Sequence, residues 1–145
     1  MPERQRLVIN TTPLLSLIAA TGNLEILRHL YREVCVPQEV EREIGAGQGP
    51  RAFGQAEFRA DDFLTRETQP RQIAPLLRQS LDLGEASVIQ LAHDRDIPLV
   101  AIDETAGRRV ARLHRHSHQS QADRLRGGCG ARGAADAGAR HLAQR

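Results

Sequence analysis

Residues 83–110 read LGEASVIQLAHDRDIPLVAIDETAGRRV, and the fold turns on how this stretch is read. Leu99, Val100, Ala101 and Ile102 make a short apolar run without polar alternation. That is the pattern of a parallel strand covered on both faces. The residues before it predict a helix that opens near Glu85. Two acids, Asp103 and Glu104, end the strand abruptly. Gly107, Arg108 and Arg109 then fall within a second helix expected from about Thr105 to His114. In open parallel sheets, ligands and chemistry collect at the carboxyl ends of the strands. The acid pair at that edge is therefore the first functional candidate, and Glu85 can reach the same edge.

Working outward, Leu7, Val8 and Ile9 predict a buried strand that ends at Asn10. Thr11 and Thr12 precede Pro13, which predicts a helix with Thr as N-cap and Pro at its first position. Leu14, Leu15, Leu17 and Ile18 supply its apolar face. Gly22 stops this helix and Asn23 caps the next, whose buried side is Leu24, Ile26, Leu27 and Leu30. Val34, Cys35 and Val36 form another strand, stopped by Pro37. A helix follows from Gln38 to about Ile44, with Val40 and Ile44 inward and Glu39 and Glu43 one turn apart on a shared face. Residues 52–60 suggest one or two helical turns, and Asp62 to Arg66 a short edge strand around Phe63 and Leu64. Pro70 to Ser80 suggests a helix through Ile73, Leu76 and Leu77. Short apolar strands alternating with helices predict an α/β fold on a mostly parallel sheet.

The 145 residues suffice for one domain with a real core and not for two. A net charge of +2 gives no general polyanion signal, although every basic side chain other than His is Arg. A GC-rich genome accounts for that bias as readily as phosphate binding does. The few aromatics, Tyr31, Phe53, Phe58 and Phe63, argue against a base-stacking platform for single strands. Cys35 and Cys129 lie far apart, Cys35 inside an apolar strand as a packed free thiol. Neither a disulfide framework nor a zinc spacing is present. MPERQR leads straight into a strand, so a signal peptide is not expected, and no apolar run nears the roughly 18 residues needed to cross a bilayer. The expectation is a cytoplasmic protein without a membrane partner.

Beyond Arg115 the character changes. Residues 116–145 contain no Val, Ile, Phe, Tyr or Met, and Leu125 and Leu142 are their only large apolar residues. Such a segment buries too little apolar surface to offset its ordering entropy. The expected organisation is a domain over residues 1–115 and a disordered or non-native tail over 116–145.

VINTTPLLSLIAATGNLEIL, VCVPQEVEREI, LDLGEASVIQLA and LVAIDETAGRRVA, in that order, resemble a PIN domain. More narrowly they resemble the VapC-like bacterial group, over roughly residues 7–114. Four pieces in register are more specific than any one of them. The resemblance implies a three-layer α/β/α sandwich and Mg²⁺- or Mn²⁺-dependent cleavage of RNA, often as the toxin of a toxin–antitoxin pair. It implies Asn10, Glu43, Glu85, Asp103 and Glu104 as metal ligands, with Glu85 and Asp103 catalytic. It assigns Thr11, Thr12, Arg108 and Arg109 to the RNA substrate. The implied partners are RNA, a small antitoxin protein and a second copy of the chain. Carboxylates suit this chemistry, because hard divalent cations prefer anionic oxygen ligands.

The sequence departs from the family pattern twice. Asn10 stands where the first acid is expected, and its amide oxygen ligates without charge. After His114 the apolar strand and final helix of a PIN domain are not legible; a shift of reading frame in a GC-rich gene produces such a composition. These departures favour the alternative, a catalytically silent PIN-like binding module or a decayed relic. Plainer roles also stand beside the functional ones. Glu85 suits a helix N-terminus for its dipole alone, Glu43 a solvated helix face, Asp103 and Glu104 a cap and a first-turn acid, and Asn10 a structural turn. Arg108 and Arg109 pair with acids or face solvent as readily as they contact phosphate.

Overall fold

The computed structural model describes residues 3–47, 52–103, 105, 107 and 108. Four strands, β1 (Arg6–Ile9), β2 (Glu33–Val36), β3 (Thr65–Arg66) and β4 (Leu99–Ala101), form one sheet in the order β3-β2-β1-β4. Every pairing is parallel: Val8 lies beside Cys35 and Val100, and Cys35 beside Thr65. Six helices connect them: α1 (Thr11–Thr21), α2 (Glu25–Leu30), α3 (Gln38–Ala46), α4 (Gln55–Ala60), α5 (Pro75–Ser80) and α6 (Leu83–Asp94). The expected α/β fold is therefore present. Parallel strands need crossovers, and the apolar residues of β1 and β2 are buried on both faces, as such crossovers require. Val8, Leu14, Val34, Val36, Val40, Val88 and Leu91 form the fully buried centre.

Local chemistry explains where several elements start and stop. Gly22 sits in the left-handed region at φ 81° and its N–H donates to the Ile18 carbonyl at 2.8 Å, closing α1. A Cβ there would meet nothing within 4 Å. Gly22→Ala is thus expected to cost about 1 kcal/mol through backbone strain alone, read as a lower urea midpoint. Gly22→Asn, which tolerates this conformation better, should lose less. The N-cap of α2 is Leu24, not the expected Asn23; Asn23 stands one residue earlier, and its Oδ1 accepts the Glu25 N–H at 2.9 Å.

Several expectations need correction. The N-cap of α1 is Asn10, so Thr11 and Thr12 are already helical and Pro13 is the third helical residue. The first four N–H groups of a helix have no internal partner, so proline is tolerated there. Helix α5 begins at Pro75, not Pro70, because the residue before a proline is pushed to extended backbone, here Ala74 at ψ 136°. Ile73 is buried just ahead of it, while Leu76 is 55% exposed. Strand β4 is outermost among the described residues and is not covered on both faces: Leu99 and Val100 are 38% and 37% exposed. Ile26 and Leu30, expected to be buried, are also exposed. Ile26 and Leu30, with Leu7, Ile9, Leu17 and Ala101, line an open apolar groove. The tail over 116–145 and the expected helix end at His114 lie outside the described residues.

On the face shared by Val8 and Cys35, charges bridge the strands. Arg6 pairs with Glu33 at 2.9 Å, and Arg95, just after α6, pairs with Glu67 at 2.9 Å. Cys35 is a buried free thiol, and burial, aided by the Glu33 charge, pushes it up to about 11. Burial and a raised thiol pKa both disfavour the thiolate that nucleophilic chemistry uses.

Candidate functional site

The carboxyl edge of the sheet is built from β1 outward. Beyond Ile9, the Asn10 N–H donates to the Ala101 carbonyl at 2.9 Å and its carbonyl accepts the Leu14 N–H at 3.3 Å. Strand β1 thus passes into α1 through Asn10 while staying bonded to β4. An N-cap asparagine ordinarily turns its side chain back to cap the helix, but that of Asn10 makes no such bond. The residue is 5% exposed, and Oδ1 has no hydrogen-bond donor among the described residues. A buried amide oxygen left without a partner costs about 1–3 kcal/mol, so its direction calls for an explanation.

Oδ1 faces acids. Val40 and Ile44 hold α3 in the core, and this turns Glu43 toward the start of α1. The Thr11 hydroxyl donates to Glu43 Oε2 at 2.9 Å, which fixes that carboxylate. Next to it lies the start of α6. Asp82 is its N-cap: Oδ1 accepts the Glu85 N–H at 2.8 Å, and Glu85 Oε2 accepts the Asp82 N–H at 3.2 Å. This capping box satisfies two of the donors that a helix start leaves open. Glu85 is 4% exposed, buried by the box and by the packing of α6. Ser87, also buried, donates to the Gly84 carbonyl at 2.7 Å and so ties down the turn between them.

Gly84 marks the point where these oxygens meet. A Cβ on it would stand 2.9 Å from Glu43 Oε2, 3.3 Å from Asn10 Oδ1 and 3.5 Å from Asp82 Oδ1. Three acceptor oxygens, from the N-caps of α1 and α6 and from α3, thus lie within 3.5 Å of one position that glycine leaves open. Acceptors that face each other repel unless a cation or a donor hydrogen lies between them.

Asn10 and Glu43, both expected as ligands, are brought together. Glu85 starts the same turn with one carboxylate oxygen engaged in the cap. Asp103 follows β4 at the same edge, half-buried, and its carbonyl accepts the Gly107 N–H at 3.0 Å. Thr11 holds Glu43, whereas Thr12 and Arg108 are exposed. Glu104 and Arg109 lie outside the described residues. Asp82 is the neighbour that sequence reasoning missed. The Asp-x-x-Glu spacing at 82–85 was its available signal, as a capping box, although that pattern says nothing about where the cap points.

Among the described residues, no three His, Cys, Asp or Glu side chains are gathered closely enough to hold a metal ion by themselves. The third donor beside Glu43 and Asp82 is the amide oxygen of Asn10. An all-oxygen set with an otherwise unpartnered member fits a hard divalent cation such as Mg²⁺ or Mn²⁺. Among the described residues no helix is long and apolar enough to cross a membrane.

A family model described as a PIN domain matches residues 6–117, well over half of the chain. It spans every strand and helix described above. No curated protein and no solved structure matches.

Proposed function

Because the chain belongs to the PIN-domain family, a nuclease-type fold, we propose that it is a metal-dependent endoribonuclease of the VapC-like kind, the toxin of a toxin–antitoxin pair. The observation that carries this reading is the buried Asn10 Oδ1, without a donor among the described residues and within 3.3 Å of a Gly84 Cβ position that Glu43 Oε2 approaches to 2.9 Å. Asn10, Glu43, Glu85 and Asp103, with Glu104 beside it, would hold Mg²⁺ or Mn²⁺. A bound cation of this kind supplies an activated water and offsets phosphate charge. Thr11 keeps Glu43 aimed at the site. In this reading Asp103 and Glu85 accept the proton of the attacking water. As its oxygen bonds to phosphorus, the bond to the leaving ribose oxygen breaks. Thr12, Arg108 and Arg109 are suited to the flanking phosphates. The partners that belong with this reading are RNA, a small antitoxin protein and a second copy of the chain.

The test is cleavage of a mixed RNA pool by the full chain with Mn²⁺ and with EDTA. Internal cuts that require Mn²⁺ support the reading, and cuts that survive EDTA overturn it. A second reading, a catalytically silent PIN-like module, is favoured by the neutral Asn10 in place of an acid. It expects RNA or partner binding without cleavage under either condition.

A further inference from the structure

One acid near the Gly84 turn is one that the family resemblance did not assign. Asp82 Oδ1 stands 3.5 Å from the Gly84 Cβ position, which also lies 2.9 Å from Glu43 Oε2 and 3.3 Å from Asn10 Oδ1. The bond it accepts from the Glu85 N–H uses a single lone pair and holds the oxygen in place. The capping box thus does two things at once: it starts α6, and it holds a carboxylate oxygen near the Gly84 Cβ position that the unpartnered amide oxygen of Asn10, a residue 5% exposed, also approaches. Asn10 lacks the charge that a cation site at a strand end requires, and Asp82 brings one to the same space from the next element. Gly84 is needed for a different reason. Its backbone is helical, so it is not there for conformational freedom. A side chain at that position would fill the space the three oxygens share, at 2.9 Å from Glu43 Oε2.

We propose that Asp82 is a direct ligand of the divalent cation, supplying the anionic charge that Asn10 does not, and that Gly84 keeps the ligands' common space open. The inference rests on the metal-dependent reading above, and the experiment separates the two. Mn²⁺ binding to the full chain is measured by calorimetry, and thermal unfolding is followed with and without Mn²⁺. Two variants are compared with the parent.

Asp82→Asn removes the charge but keeps the cap, since Asn caps helices as well as Asp does. It should weaken Mn²⁺ binding at least about tenfold, the lower range for losing a group that supports a metal site, with little change in unfolding without metal. Gly84→Ala should weaken Mn²⁺ binding similarly, because its Cβ would stand 2.9 Å from Glu43 Oε2 and displace that carboxylate from the shared space. If the parent binds Mn²⁺ and both variants bind it equally well, the role of Asp82 is overturned and the metal reading stands. A parent that does not bind Mn²⁺ at all overturns the metal reading and this inference with it. Should Asp82→Asn fail to fold, Asp82→Ser, which keeps a capping oxygen without the charge, decides the question by the same two measurements.

Discussion

Asn10→Asp is expected to tighten Mn²⁺ binding about tenfold, to raise Mn²⁺-dependent RNA cleavage, and to lower stability when metal is absent. A carboxylate in contact with a divalent cation gains several kcal/mol of gross attraction even at an effective dielectric near 20. Much of that is offset, because the new charge sits beside Glu43 Oε2 and Asp82 Oδ1 in the metal-free protein. A net of about 1.4 kcal/mol corresponds to the tenfold change. The same crowding makes the free protein pay: a buried carboxylate with no donor costs upward of about 1–3 kcal/mol, which Mn²⁺ should restore. Asp103→Asn moves the opposite way. It takes a charge from the carboxyl edge beside β4, and cleavage should fall about a hundredfold, at the upper end of the effect expected at a metal site.

The decisive comparison is cleavage of one RNA pool by parent, Asn10→Asp and Asp103→Asn, with Mn²⁺ affinity and metal-free unfolding midpoints measured alongside. If Asp103→Asn cuts as well as the parent, the nuclease reading fails. If Asn10→Asp alone cuts, the protein is the silent module. A third pattern points to Asn10 itself: a loss of stability that Mn²⁺ does not restore means that its amide nitrogen, not its oxygen, serves the neighbouring acids.

Leu14→Ala is expected to destabilise the fold by about 2–5 kcal/mol, the cost of a cavity under a fully buried leucine. That is a large share of the roughly 5–15 kcal/mol that hold a domain of this kind together. Leu14 is entirely buried and stands one turn after Asn10, whose carbonyl it binds through its own N–H at 3.3 Å. It anchors the helix that carries the start of the site. Leu76→Ala is the contrast, since Leu76 is 55% exposed, and a substitution there should stay within about 0.5 kcal/mol. Urea unfolding of both variants reads the difference directly. Equal midpoints would mean that α1 does not pack on the sheet as described.

Sequence alone determined the order and type of most elements. Short apolar runs at 7–9 and 34–36 were legible as parallel strands because crossovers on both faces leave no polar alternation, and the run at 99–101 was legible as a strand from the same pattern although its outer face is left partly open. Gly22 and Pro37 were legible as stops because their constraints are local: a left-handed backbone in one, a missing N–H in the other. The resemblance marked Asn10 and Glu43 as members of one site, and an oxygen of each lies within 3.3 Å of the Gly84 Cβ position. Leu76 and Leu99 went the other way. Their burial depends on what packs over them, and an apolar side chain carries no record of its neighbours.

Tertiary structure alone decided how the edge is arranged. Asp82 was invisible as a site residue because its local reading, helix cap, is complete without any other role. Only the approach of α3 and β1 to the start of α6 sets Glu43 Oε2 and Asn10 Oδ1 around Gly84. Spacing along a chain reports which residues share a helix face or a strand end. It does not report the distance between oxygens that reach one point from elements 33 and 39 residues apart, because that distance is set by how the core packs.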